Sequence, residues 1–160
     1  MTFTTPITPS RTVSAREHLA TLFTVADLDR EMDQTSRFSR ATVATFAAAP
    51  ADTWNEHCTG GEWPAVEIVV EFFVPPPSLE AFHRDLESRL LRASPAYLAA
   101  RSRGLFAPCI LRCVPAGSFH QHRLADRRTA VHDHERWSHS REFIAGLLHQ
   151  VRIGWRDTVA

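Results

Sequence analysis

Residues Leu79 to Phe119 read LEAFHRDLESRLLRASPAYLAARSRGLFAPCILRCVPAGSF, and this stretch decides the fold. Leu79, Phe82, Leu86 and Leu90 recur at helical spacing, with Glu80, Arg84, Glu87 and Arg89 mostly on the outer side. Ser78 stands where an N-cap belongs. Ser94-Pro95 interrupts the pattern and restarts a short helix through Arg103, which Gly104 closes. Pro108 then leads into an apolar run, Cys109 to Val114, read as a strand. The stretch is therefore helix, short helix, strand.

Upstream, Pro64 opens the most apolar segment, AVEIVVEFFV, and Pro75-Pro76-Pro77 ends it. Val66, Ile68, Val70, Phe72 and Val74 share one face at period two; Glu67, Val69, Glu71 and Phe73 share the other. A strand with one apolar and one mixed face is expected, the mixed face solvated or turned to a ligand. Glu67 and Glu71 are candidate catalytic carboxylates, but four strand residues hold them about 13 Å apart. That is too far for two carboxylates to share a proton or flank one small bond.

Earlier still, residues 1–13 are rich in Thr, Pro and Ser and read as a disordered tail ahead of a single domain over 14–156. His18 to Phe23 alternates like a strand. Thr24 to Asp27 forms a capping-box pattern, and Val25, Leu28 and Met32 follow as a short amphipathic helix. Arg40 to Phe46 reads as a second strand, and 47–63 as a loop with Trp54 and Trp63 near its ends. Downstream of Gly117, His120, His122, His132, His134 and His139 crowd one segment. A helix from Glu142 to about Val151 follows, with Phe143, Ile144, Leu147, Leu148 and Val151 as its apolar stripe. Four strands and two main helices in this order make a ferredoxin-like α+β domain: a four-stranded antiparallel sheet with helices on one face.

The composition narrows the function. At 160 residues the chain can bury a real core. Its formal net charge is zero, so no overall field favours nucleic acid. Glu67 and Glu71 on the mixed face would also repel phosphates, and no nucleic-acid partner is expected. All eighteen basic residues are arginine, which excludes Schiff-base lysine chemistry. The six glycines are scattered and form no phosphate-cradling loop. An odd cysteine count (Cys58, Cys109, Cys113) and a polar start without an apolar signal region lead to the expectation of a reducing, cytoplasmic setting. No apolar run approaches the roughly 20 residues that span a bilayer, so no membrane partner is expected.

Two pairs, His120-x-His122 and His132-x-His134, would each point both rings to one side of an extended chain and offer weak metal-ligand candidates. The alternative is a solvated histidine-rich loop. No cofactor is expected.

The spaced residues Leu90, Ser94, Tyr97 and Arg101, followed by Gly104-Leu105, Pro108, Val114 and Gly117-x-Phe119, carry a family resemblance. They resemble the C-terminal domain of the auxin-conjugating acyl-acid amido synthetases and their bacterial relatives, whose pattern is close to L-x3-N-x2-Y-x3-R. Ser94 stands at the asparagine position. A K-x-P-R-like motif of the family corresponds here to Ser138-His139-Ser140-Arg141, in which only the arginine is kept.

In that family this domain is a lid over an acyl-adenylate, carried beside a large adenylating domain. The resemblance implies an accessory subunit to a separate adenylating enzyme in bacterial small-molecule biosynthesis. The alternative is an ATP-independent enzyme of the cyclase, isomerase or condensing type. It would use His120, His122, Glu67 and Glu71 as acid–base candidates and Tyr97, Arg101, Arg112 and Arg141 to hold a carboxylate-bearing ligand. Tyr97 and Arg101 lie one helical turn apart, and a structural role for the pair is also open. An exposed sheet face and edge would suit a homodimer.

Overall fold

A computed structural model describes residues 22–51, 65–125 and 141–157. In these the chain is α+β. Helix α1 spans Val25–Phe38, strand β1 Thr42–Pro50, strand β2 Val66–Val74, helix α2 Leu79–Ala93, helix α3 Pro95–Ser102, strand β3 Ile110–Val114, helix α4 Ser118–Ala125 and helix α5 Arg141–Asp157.

The helix starts follow local chemistry. The Thr24 hydroxyl accepts the Asp27 N–H at 3.1 Å, and the Asp27 carboxylate accepts the Thr24 N–H at 3.2 Å, closing the capping box of α1. Ser78 caps α2 through the Ala81 N–H, and Ser94 caps α3 through the Tyr97 N–H, with Pro95 as the first helical residue. At the end of α1, Ser39 is the C-cap and Arg40 takes φ 57°. The Ala41 N–H bonds the Ser36 carbonyl at 2.9 Å and the Arg40 N–H bonds the Arg37 carbonyl at 3.3 Å. This is a Schellman closure with arginine where glycine is usual.

The described sheet has three strands in the order β1-β2-β3. β1 and β2 pair antiparallel, with Phe46 opposite Val70 and Ala48 opposite Ile68; bulges interrupt the register near Val43. β2 and β3 pair parallel, Glu67 opposite Ile110 and Glu71 opposite Val114. The four-stranded antiparallel sheet expected from sequence is not what the described residues form. A parallel pair needs a crossover, and α2 with α3 supply it between β2 and β3. The expected first strand, residues 18–23, lies mostly outside the described residues; Leu22 is helical and Phe23 is a buried core residue.

β2 is buried on both sides. One face carries Val66, Ile68, Val70 and Phe72 into the main core with Leu28 and Met32 of α1, Phe82, Leu86 and Leu90 of α2, and Tyr97 of α3. Each such large side chain contributes about 1.5–3 kcal/mol by leaving water. The other face was expected to be solvated or open to a ligand. Instead Ala47, Ala49, Val69 and Val114 meet Phe119 of α4 with Ile144 and Leu147 of α5 in a second core. Helices therefore cover both faces. Ala47 and Ala49 belong to a β1 longer than Arg40–Phe46; their methyl groups leave room for α5 to approach the sheet. No helix among the described residues is long and apolar enough to cross a membrane.

Candidate functional site

The period-two pattern of β2 puts Glu67 and Glu71 on the second face, and α4 and α5 close over them. Both are buried. Glu71 accepts the backbone N–H groups of Gly117 at 2.7 Å and Phe119 at 3.0 Å. It thus satisfies donors at the start of α4, where the helix dipole favours negative charge. Gly117, at φ 87°, supplies the left-handed residue that this turn requires.

Glu67 is clasped by two arginines. Its Oε1 receives Arg112 Nε from β3, and its Oε2 receives Arg141 Nη1 from the first residue of α5. Two of the four ligand-holding candidates thus converge on one of the catalytic candidates.

Tyr97 and Arg101 converge elsewhere, on the opposite side of the sheet. The Tyr97 hydroxyl lies 3.1 Å from both oxygens of Glu87, Arg101 Nε donates to Glu87 Oε1 at 3.1 Å, and the Cys109 N–H donates to Glu87 Oε2 at 3.1 Å. Arg101 also donates to the Phe106 carbonyl at 2.8 Å. Beside them His83 Nε2 donates to the Cys109 carbonyl at 2.6 Å, since a carbonyl can only accept. Burial, then the neighbouring Glu87 charge, push the Tyr97 phenol far above its ordinary range, and the same two causes raise the Cys109 thiol. Both groups stay protonated at neutral pH, and Cys109 is no thiolate nucleophile there.

Glu87 is the residue that reading the sequence misses. Its helical position looks outward-facing, yet its side chain is 14% exposed and gathers three donors. The available signal was its place three residues before buried Leu90, on the margin of the apolar stripe.

The histidines do not act as an extended chelating pair in the described part. His120 and His122 lie on α4, and two helical residues apart means about 200° of rotation. His120 is exposed, whereas His122 is half-buried, with its ring edge-on to Phe143 at 4.9 Å and Nδ1 3.0 Å from Gln150 Oε1. It fits a notch at Gly146, where an added Cβ would come within 2.8 Å of the ring. His132 and His134 lie outside the described residues. Among the described residues no three His, Cys, Asp or Glu side chains gather as a metal site. A groove of about 250 Å³ runs between α1 and β1, lined by Met32, Asp33, Ser36, Val43 and Phe46 among others. None of the candidates above lines it.

No protein-family model matches this chain, and no curated protein matches it. Among solved structures it is similar to the AtGH3.15 acyl acid amido synthetase in complex with 2,4-DB, with a TM-score of 0.58 and 11% identity over 78% of this chain. The match takes up 23% of that chain. Identity this low shows a distant relationship of fold and nothing finer.

Proposed function

We propose that this chain is an accessory subunit. It docks onto a separate adenylating enzyme and completes or regulates that enzyme's site, in the way a lid domain serves an amido synthetase. The observation carrying this reading is the internal commitment of both sheet carboxylates: Glu71 to the start of α4, and Glu67 to Arg112 and Arg141. Each of their four oxygens already holds a hydrogen-bond partner, which favours a role exercised through surfaces. The fold relationship to part of an amido synthetase supports the same reading.

The competing reading, an ATP-independent enzyme, needs a free acid or base beside a cavity. The groove between α1 and β1 is lined by the carboxylates of Asp29 and Asp33 but by none of His120, His122, Glu67 and Glu71, on which that reading rests.

Affinity capture of the tagged full chain from its native host is the test, read out by carboxylic-acid-dependent ATP–pyrophosphate exchange. The captured complex is expected to carry that activity, while the purified chain alone does not. Capture without exchange activity, or carboxylic-acid turnover by the chain alone, overturns the proposal.

A further inference from the structure

We propose that the pole of the molecule where α1 ends, β2 ends and α2 begins is a self-association surface, and that its occupant is a second copy of this chain. The inference is independent of the accessory reading.

Among the described residues seven large apolar side chains are exposed, and four of them belong to this pole: Phe38, Phe73, Val74 and Leu79. Phe38 is the last residue of α1 and is 77% exposed; Phe73, at 72%, and Val74 end β2; Leu79 opens α2. The strand register brings these ends together, because Thr42, shortly after Phe38, stands opposite Val74. Only Pro75 to Ser78 separate Val74 from Leu79. Arg89 of α2 lies over the Phe38 ring, 5.7 Å from its centre, so the end of α1 is held against α2. Val74 is on the sheet face that α1 and α2 cover, and Phe73 wraps the strand end from the other side. The three prolines fix φ in the connection, which leaves less backbone freedom to lose on contact. Large apolar side chains gathered at one place mark a contact surface.

The charges on its border select the partner. Arg40 follows Phe38 on the α1 side, and Glu80 follows Leu79 on the α2 side. Both are exposed, and neither takes part in an ion pair among the described residues. Arg37, the neighbouring cation, is already matched by Asp33 at 2.9 Å. Arg40 sits at φ 57°, where glycine is favoured, so the chain carries a guanidinium there against the preference of its own backbone. Strain of that kind points to a side chain that is used. One cation and one anion on either side of an apolar centre make a self-complementary pattern. A two-fold axis through the centre sets Arg40 of each copy against Glu80 of the other. A uniformly acidic or basic partner would leave one of the two opposed by its own sign. The formal net charge of zero adds no long-range repulsion between copies.

Sedimentation equilibrium of the full chain over a wide range of concentrations is the test, and a monomer–dimer equilibrium is expected. Phe38→Ser and Phe73→Ser should each weaken association about tenfold, the effect of removing an aromatic anchor. Both positions are exposed, so at dilutions where every chain is monomeric the variants should melt near the parent temperature. Arg40→Glu and Glu80→Arg should each weaken association, and the double exchange should recover it. Arg40→Gly separates the two roles of that residue: the monomer should gain stability while the dimer loses affinity. A chain that stays monomeric throughout overturns the proposal, as does a dimer indifferent to both phenylalanine changes. So do charge exchanges that have no effect singly or are not rescued together. A strictly monomeric chain that still captures an adenylating enzyme removes this surface and leaves the accessory reading standing.

Discussion

Tyr97 is the only tyrosine in the chain, so its ionisation can be followed without interference. Its phenol is held protonated by burial and by Glu87, well above the ordinary value of 10.0. The sign follows directly. Below about pH 10 the folded and unfolded chains both carry the proton; above it the unfolded chain loses the proton first. Stability therefore falls as pH rises beyond that point, and Cys109 pulls in the same direction. Phenolate absorbance should appear only together with loss of the circular dichroism signal. A free titration near pH 10 in the folded chain would contradict the buried hub.

Arg40 offers a second test, because a non-glycine residue at φ 57° is strained. Arg40→Gly should raise stability by about 0.5–1 kcal/mol in urea unfolding. The sequence made the Tyr97/Arg101 pair legible as residues sharing a helix face. It did not reveal Glu87 as their partner, because that contact crosses from α2 to α3 and β3 and leaves no local spacing to read.

At the scale of elements, α1, α2 and α3 were legible because each begins at a side-chain cap and carries its apolar residues at helical spacing. β2 was legible from its period of two. Two features were not. The Ala47–Ala49 end of β1 looked like loop, since alanine carries no strand signal and its role depends on α5 lying above it. α4 was read as a histidine-rich loop, with an extended chelating pair as the metal-binding alternative, because histidine spacing in sequence does not reveal that Glu71 stabilises a helix start there.

The seam between α4 and α5 can be measured. Gly146→Ala gains about 1 kcal/mol of helix propensity, but its methyl group meets the His122 ring, itself pinned by Phe143 and Gln150. In the parent chain Gly146→Ala should be neutral or destabilising. In a His122→Ala background the same change should stabilise by about 1 kcal/mol. Equal effects in both backgrounds would remove the contact.

On the scale of the whole molecule, the described residues form two cores of unequal size on opposite faces of one sheet, β1 and β2 contributing to both. Among the described residues the α1/α2/α3 side buries the larger set of aromatic and aliphatic side chains, and the α5 side rests on alanines, Val69, Val114 and Phe119. The backbone amides of α5 are therefore expected to exchange through a partial opening of lower free energy than those of α2. Native-state hydrogen exchange checks this, and equal protection in the two helices would show a single cooperative unit. The sequence predicted an α+β architecture, and that holds among the described residues. Coverage of the second face was not foreseen, because one mixed strand face looks the same whether solvent or a helix lies over it.

The placement of Glu67 and Glu71 has a consequence for the chain before it is folded. VEIVVEFFV is the kind of apolar, β-prone segment that pairs with copies of itself when exposed. α5 follows it in sequence, so during synthesis the second face of β2 emerges uncovered. The two carboxylates then interrupt the apolar run as gatekeepers against aggregation. In the folded chain the same two carboxylates face inward, received by Arg112, Arg141 and the start of α4.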